Sequence, residues 1–211
     1  MKNKIIICVS IIAIAVVAVL AGLYFIKQNK VLTNSPENIG QQASTGNQNN
    51  EAGNQQSQNK LVTDDFDIVL PVGWKKTEPA IGTSAMAINV NEQLNDPAAQ
   101  KINFRSYFAV SYDTLQGKSM AEYMQTTKYA LSQTVSSAVF ANEQDVNING
   151  RAVRAVEVEL TQQGVNFKIL IVAIRGEGDD VWIISFNTIK SSWDGYREIF
   201  SNIVRSFNLK K

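Results

Sequence analysis

Hydrophobic residues are distributed unevenly along the chain, and the first concentration is an apolar run at Ile5–Ile26, broken only by Ser10 and Gly22. Its 22 residues contain no charge, and as a helix they would be about 33 Å long, which matches the hydrocarbon core of a bilayer. Because the run is apolar on every side, it predicts a transmembrane helix rather than a core helix. Its position before a long polar part predicts a signal-anchor, with residues 1–4 in the cytoplasm and the C-terminal part exported.

Two other interpretations of this run concern its processing. The small residues around Ala21 suit a signal peptidase, so cleavage after Ala21 is the alternative to a retained anchor. The apolar run continues through Ile26, longer than a typical cleavable segment of about 7–15 residues, which favours retention. Cys8 lies near the start of the run rather than just after its end, so lipid attachment is not expected.

Residues 27–60 have a different composition from the segments on either side. Asn and Gln account for 15 of these 34 residues, and no aromatic residue occurs among them. Such a segment has too little apolar area to offset the entropy of folding, so we predict a disordered tether. An Asn/Gln-rich tract is also typical of self-associating prion-like segments, but the lack of interleaved aromatic residues disfavours that interpretation.

Residues 61–211 carry the alternating apolar pattern of β-strands and are predicted to form one globular domain. One strand is predicted over residues 66–70, before Pro71 and Gly73. A second is predicted over residues 104–112, with its apolar side chains on a single face: Phe104, Phe108, Val110 and Tyr112.

The stretch after Asn149-Gly150 predicts a three-strand antiparallel meander. Its first strand places one apolar set on a shared face, with Arg154 as the exception: Ala152, Val156, Val158 and Leu160. The Gln163-Gly164 turn leads to a strand over residues 165–174 that is apolar on both faces. The loop over residues 176–180 then leads to the third strand, over residues 181–186.

Two amphipathic helices are predicted beside these strands. Ser119 and Glu122 have the spacing of a capping box at the start of the first. The second is predicted to begin with Ser191 as N-cap, and its apolar stripe consists of Trp193, Tyr196, Phe200, Ile203 and Phe207. A strand that is apolar on both faces needs cover on both. The predicted fold class is therefore α+β: an α/β/α sandwich around a mainly antiparallel sheet, preceded by one transmembrane helix.

Composition excludes several kinds of chemistry. The chain has 20 basic and 19 acidic residues, no His and a single Cys, Cys8. Without imidazole, triads that depend on His and His-bearing zinc sites are excluded. A net charge of +1 provides no basic stripe for nucleic acid. Gly176-Glu-Gly178 precedes a predicted strand rather than a helix N-terminus, so nucleotide binding is not expected either.

Two acidic clusters are the candidates for a cation site: Asp64, Asp65 and Asp67, and Glu177, Asp179 and Asp180. Calcium prefers several carboxylate oxygens. However, strand alternation separates Asp64 from its two neighbours, and the second cluster lacks the spacing of a calcium loop. We therefore expect a solvated strand edge and a hairpin tip.

Four aromatic residues are candidates either for the core or for a sugar-stacking surface. Trp182, Trp193 and Tyr196 lie on apolar faces and are predicted to be core residues. Trp74, after Pro71 and Gly73, is predicted to close one end of the sandwich.

Five motifs occur in a fixed order over essentially residues 66–209, beginning with Phe66-x-Ile68-x-Leu70-Pro71-x-Gly73-Trp74. The others are Ser119-x-x-Glu122-Tyr123, Ile148-Asn149-Gly150-Arg151-Ala152, Trp182-Ile-Ile-Ser-Phe186, and the helix stripe from Trp193 to Phe207. In this order, the motifs resemble the PsbP-like superfamily, whose bacterial branch includes DcrB-like envelope proteins.

The resemblance implies the same sandwich fold and a binding role, since the superfamily includes a photosystem II accessory subunit and a nuclear Ran-binding factor. It provides no shared catalytic residues. Histidines implicated in metal and cofactor retention by plant members have no counterpart here. A membrane tether without a plastid transit signal favours a bacterial envelope protein.

The sequence as a whole predicts a non-enzymatic, membrane-anchored extracytoplasmic binding or assembly module. No catalytic, cofactor-binding or metal-ligating residue is assigned, and no cofactor is expected. The expected partners are the lipid bilayer, through residues 5–26, and another envelope or membrane protein, but neither nucleic acid nor nucleotide. The alternatives are a hydrolase of cell-envelope glycans that uses two carboxylates and a calcium-responsive module.

Overall fold

The computed structural model describes residues 59–210 of the chain. The predicted anchor at residues 5–26 and nearly all of the predicted tether lie outside these residues. Within residues 59–210, no helix has the length and apolar character needed to cross a bilayer.

The described residues form ten β-strands, three α-helices and one 3-10 helix. The strands are β1 (Lys60–Val62), β2 (Phe66–Val69), β3 (Trp74–Thr77), β4 (Ala85–Asn89), β5 (Tyr107–Thr114), β6 (Val139–Ile148), β7 (Arg151–Gln162), β8 (Val165–Arg175), β9 (Asp180–Ile189) and β10 (Asn208–Leu209). The helices are α1 (Pro97–Lys101), α2 (Met120–Thr134) and α3 (Trp193–Ser206), and the 3-10 helix is Lys190–Ser192.

Seven strands form the main sheet, in the order β3-β4-β5-β9-β8-β7-β6. Each neighbouring pair in this sheet is antiparallel. A smaller antiparallel sheet has the order β1-β2-β10. The α+β class and the mainly antiparallel sheet are therefore confirmed.

The predicted meander is present as β7-β8-β9, and β6 extends it by one strand. Two-residue turns join β6 to β7 and β7 to β8. Asn149 and Gly150 have φ of 54° and 78°, and Gln163 and Gly164 have 51° and 77°. Positive φ at both positions is the requirement of a type I′ turn, whose twist matches that of the flanking strands.

Helix α2 covers one face of the main sheet. The predicted capping box is confirmed: the Glu122 backbone N–H donates to Ser119 Oγ at 3.2 Å, and the Ser119 backbone N–H donates to Glu122 Oε2 at 2.9 Å. The helix buries an apolar side against alternate residues of the central strands. This core includes Tyr123, Met124, Leu131, Val158, Ile169, Ile171 and Ile183.

Helix α3 and the smaller sheet cover the opposite face. The predicted aromatic stripe of α3 is buried there with residues of β2 and of the main sheet. Trp193 and Tyr196 are 4% and 8% exposed, and Trp182 is 7% exposed. All three are core residues, as predicted.

Trp74 lies on the edge strand β3, enclosed between the sheet and α3. Its ring stacks on Phe108 with centroids 5.7 Å apart and meets Tyr196 and Phe200 edge-on. Its side chain is therefore part of the α3-side core rather than a cover at one end of the sandwich.

The prediction that Ser191 caps α3 is wrong. Residues 190–192 form a turn of 3-10 helix, so α3 begins one residue later, after Ser192. Ser192 itself makes no capping hydrogen bond through its side chain. The 3-10 turn continues directly from β9, and it carries the chain into the helix without a separate loop.

The prediction that Phe104 shares a face with Phe108 is also wrong. Asn103 has a φ of 50°, which turns the chain after α1, and β5 begins only at Tyr107. Phe104 packs on Phe167 at 5.0 Å, in the α2-side core, whereas Phe108 lies in the α3-side core.

Strand β7 differs from the prediction in its buried residues. Ala152 is exposed, whereas Val153 and Ala155 are buried against the α3 side. Val156, Val158 and Leu160 lie in the α2-side core as one set, as predicted. The strand has apolar residues on both faces. It lies next to the edge strand β6, where both faces of the sheet are still partly covered.

Replacement of Trp193 by alanine tests the α3-side core. We expect Trp193→Ala to lower the free energy of unfolding by about 3–5 kcal/mol, because it removes a large buried ring. Urea denaturation measures this change. The control is Tyr129→Ala on α2, where the ring is 68% exposed and a change within about 0.5 kcal/mol is expected. A loss below about 1 kcal/mol for Trp193→Ala would contradict the burial.

Candidate functional site

An open groove of 480 Å³ lies on the α3 side of the main sheet. One wall is a side of α3, and the floor is the part of the sheet that α3 does not cover. The residues that line it are Gln144, Val146, Asn147, Ile148, Val153, Ala155, Glu157, Leu170, Val172, Trp193, Arg197, Ser201, Val204 and Arg205. Its volume is within the usual range for a binding cleft.

The helical wall follows from the spacing of residues along α3. Trp193, Arg197, Ser201 and Arg205 recur every four residues, so they form one stripe along the whole helix. This stripe is polar apart from Trp193, whereas the neighbouring stripe is aromatic and buried. The small side chain of Ser201 leaves space at the middle of the wall.

The floor of the groove is apolar because the strands that form it turn one face toward α3. Val153 and Ala155 of β7 and Val172 of β8 form its buried part. Val146 of β6 is 39% exposed, since β6 is the edge strand and has no neighbour on its outer side among the described strands.

The charge of the groove is positive along the helical wall. Among the described residues, Arg197 is paired only with the neighbouring Asp194, at 3.7 Å and with both side chains well exposed. Such an exposed ion pair contributes little to stability. Arg205 has no ion-pair partner within residues 59–210. Two guanidinium groups are thus available to carboxylates of a ligand.

The one carboxylate that lines the groove already has an ion-pair partner. Glu157 pairs with Lys168 at 2.8 Å, and Lys168 also reaches Glu159 at 3.3 Å. Burial opposes the charge of Lys168, but its hydrogen bonds to these carboxylates outweigh that effect and raise its pKa. The Lys168 ammonium also lies 4.8 Å from the ring centroid of Trp193 and makes a cation–π contact with it.

A second ion-pair network explains why Arg154 breaks the apolar pattern of β7. Its Nε lies 2.8 Å from Glu143 and its Nη1 2.6 Å from Asp145, and Lys128 of α2 contacts Glu143 at 2.5 Å. Hydrogen bonds from Lys128 and Arg154 lower the pKa of Glu143, and the bond from Lys128 has the larger effect. The network ties edge strand β6 to α2 on the face opposite the groove.

The two predicted acidic clusters lie closer together than their sequence separation suggests. Asp64, Asp65, Glu177 and Asp180 border one open cleft of 580 Å³, together with Arg151 and Lys210. Two members of the clusters make separate contacts. Asp67 accepts a hydrogen bond from Asn208, and Asp179 accepts one from the Gly117 backbone. In the described part of the chain, no group of three or more His, Cys, Asp or Glu side chains is arranged to hold a metal ion.

Within residues 59–210, the groove does not bring together the two carboxylates that a glycan hydrolase uses. The groove is lined by one carboxylate, Glu157, which Lys168 already binds. In the second cleft, Asp64, Asp65 and Glu177 are exposed, and Asp180 accepts a hydrogen bond from Tyr112. The pKa of Glu159, beside the groove, is lowered by Lys190, opposite to the shift of a general acid.

Comparison with solved structures identifies the fold. The cyanobacterial PsbP (CyanoP) of Synechocystis sp. PCC 6803 has a TM-score of 0.52 at 13% identity, with 76% of this chain and 98% of that chain covered. The chain has the PsbP-like fold. LpqN of Mycobacterium tuberculosis, described as involved in cell envelope biogenesis, has a TM-score of 0.51 at 9% identity, covering 75% of this chain and 88% of LpqN.

A third solved structure in the comparison is the Ran-binding protein Mog1p of Saccharomyces cerevisiae. It has a TM-score of 0.49 at 16% identity, and the similarity covers 72% of this chain and 96% of Mog1p. No family model and no curated protein matches the sequence. The similarity to CyanoP and LpqN, at 13% and 9% identity, shows a shared fold.

Sequence reasoning did not predict a polar network that fixes the start of α3 in this PsbP-like fold. Tyr196 donates a hydrogen bond to Glu92 Oε1 at 2.8 Å and accepts one from Asn89 Nδ2 at 2.8 Å. Ser106 also binds Glu92, through both its hydroxyl and its backbone N–H. Burial, reinforced by the hydrogen bond to Glu92, raises the pKa of Tyr196 to about 12. An apolar stripe in the sequence reveals the ring of Tyr196 but not the partners of its hydroxyl.

The raised pKa of Tyr196 predicts a pH effect on stability. Between pH 10 and about 12, a tyrosine of the unfolded chain loses its proton while folded Tyr196 keeps it. The free energy of unfolding therefore falls as the pH rises through this window. We expect Tyr196→Phe to make this fall shallower, as measured by urea denaturation across the same pH range. Tyr129→Phe, at an exposed position, is the control. Equal slopes for the wild type and Tyr196→Phe would contradict the expectation.

Proposed function

We propose that this protein is a membrane-anchored extracytoplasmic module without enzymatic activity, whose groove binds another envelope or membrane protein. The neighbours with similar folds include PsbP and an envelope-biogenesis protein, which supports a binding or assembly role. The chain has no His, and its one Cys lies within residues 5–26. Chemistry that needs imidazole or an exported thiolate is therefore excluded.

The groove between α3 and strands β6–β8 is the observation that carries this proposal. It combines an apolar floor with two guanidinium groups that have weak or no ion-pair partners within residues 59–210. The indole N–H of Trp193 is also buried and has no hydrogen-bond acceptor in the described residues. A buried donor without an acceptor costs about 1–3 kcal/mol. A partner segment with carboxylates has the charged groups that the two guanidinium groups of this wall would bind.

The anchor is part of the same proposal. Residues 5–26 would hold the protein in the cytoplasmic membrane, and residues 27–60 would let the folded domain search for a partner near the surface. At about 5–6 Å times the square root of its length, a coil of this size spans about 30 Å. This distance is enough to bring the groove to the exposed part of a membrane protein.

Protease treatment of intact, wall-stripped cells tests the topology. We expect an added protease to cleave between the anchor and the folded domain, because exposed polar linkers are preferred sites of cleavage. A blot against the domain should show release of a fragment of the size of residues 59–211. A cytoplasmic protein serves as the control for sealed membranes. Complete protection of the domain in sealed cells would contradict the export.

Photocrosslinking at single positions in intact cells tests the groove. A photoreactive residue at Ser201, in the middle of the groove wall, is expected to give a discrete adduct with one envelope protein. The same residue at Tyr129, exposed on α2, is the matched control and is expected to give none. Adducts at both positions, or at Tyr129 alone, would contradict the assignment of the groove.

A further inference from the structure

The two edges of the main sheet differ in their capacity to accept another strand. β3 has only four residues, including Lys75 and Lys76, and Asn59 Nδ2 donates a hydrogen bond to the Trp74 carbonyl. Short strands with lysines are the usual protection of a sheet edge. β6 has ten residues and no neighbour on its outer side among the described strands.

The turn between β6 and β7 determines which backbone groups of β6 point outward. Ile148 pairs with Arg151 across the two-residue turn, so these two residues exchange hydrogen bonds with each other. Hydrogen-bonded pairs alternate along an antiparallel ladder. The outward N–H and C=O groups therefore belong to Asn147, paired with Ala152, and to Asp145, paired with Arg154.

The segment Gln144–Ile148 is the part of the edge suited to pairing. Before it, the register shifts between Ala141 and Gln144, and Asn142 has a φ of 51°, so the outer edge is irregular there. Within it, Asp145 pairs with Arg154 on the α2 side, so its carboxylate lies on the face opposite the groove, beside a guanidinium group of opposite charge.

The chemistry of the occupant follows from the groove beside this edge. Side chains of an added strand alternate, so every second one lies on the α3 side, next to Val146 and within the reach of the long arginines. Arg197 and Arg205 favour carboxylates, and the exposed Val146 favours an apolar neighbour. A second copy of β6 offers Gln144, Val146 and Ile148 on that side, with no carboxylate among them.

We infer that an extended acidic and apolar segment of the partner adds to the main sheet as a strand along Gln144–Ile148, with its carboxylates on Arg197 and Arg205. Main-chain hydrogen bonds to Asp145 and Asn147 give the segment its register, and the groove selects its side chains. This inference rests on the proposed function, because it names the binding mode and chemistry of the partner in the same groove.

A matched pair of variants at Asn147 tests the pairing in the full-length protein in cells. Asn147→Ala and Asn147→Pro both lose the side chain, but only proline also removes the outward N–H. At an edge, proline interrupts no hydrogen bond within the sheet. With the photoreactive residue at Ser201, we expect the adduct yield of Asn147→Pro to be about tenfold below that of Asn147→Ala, the weight of one backbone hydrogen bond. Thermal unfolding of both purified variants checks that they fold.

Two variants at Arg205, one that reverses its charge and one that keeps it, give an independent test together with the identity of the adduct. Arg205→Glu is expected to lower the adduct yield by about tenfold or more, and Arg205→Lys by less than Arg205→Glu, because lysine keeps the charge. Mass spectrometry of the adduct should map to a stretch of at least five residues that contains acidic and apolar side chains. This pair and the mapped segment decide the outcome if Asn147→Pro does not fold.

The outcomes separate the two proposals. Equal yields for folded Asn147→Pro and Asn147→Ala would overturn strand addition and leave the groove as the binding site. An adduct with a basic segment, a lipid, residues 27–58 or a second copy would overturn the stated chemistry of the partner. No adduct at Ser201 would overturn both the inference and the assigned groove.

Discussion

The burial of both faces of the central strands is the constraint on which the rest of the structure depends. β8 places Phe167, Ile169 and Ile171 in the α2-side core and Val172 and Ile174 in the α3-side core. Each large apolar side chain stabilises the fold by about 1.5–3 kcal/mol only if it is removed from water. A layer on each side is therefore required, and α2 and α3 with the smaller sheet provide these layers.

This cover is incomplete, and the groove is its consequence. On the α3 side, the helix and the smaller sheet pack over the part of the main sheet that carries the aromatic cluster. Beside Trp193, toward the end of β7 and the start of β8, the sheet carries an ion-pair ladder of Glu157, Lys168, Glu159 and Lys190 instead of large apolar residues. Charged groups favour contact with water, so this region needs no layer. The groove lies at the boundary between the covered and uncovered regions.

Local patterns predicted the elements whose side chains follow a simple periodicity. Each of these elements depends on residues within a few positions of one another. They are the capping box of α2, strand β8 with its two apolar faces, and the two-residue turns on either side of β7. The errors at Phe104 and Ser191 have a different origin: a positive φ at Asn103 and a 3-10 turn that continues from β9. Neither feature changes the spacing of apolar residues, so alternation alone could not reveal it.

The candidate site was beyond sequence reasoning because its residues come from four elements. Val146, Val153, Leu170 and Ser201 lie on β6, β7, β8 and α3 and share no motif. The same holds for Arg154, which breaks the pattern of β7 until Glu143, Asp145 and Lys128 are placed around it. Long-range pairing, rather than composition, produced both the groove and the network.

Four properties can be read directly from the residues: the apolar run at residues 5–26, the Asn/Gln-rich composition that follows it, the absence of histidine and the alternating strands of an antiparallel domain. These properties depend on residue types and short-range spacing. The packing of residues 59–210 determines that β6 is an open edge among the described strands, that Arg205 has no carboxylate partner within these residues and that the two acidic clusters border one cleft. Such features depend on strand order and on the packing of layers, which bring residues distant in sequence to within a few ångströms of one another.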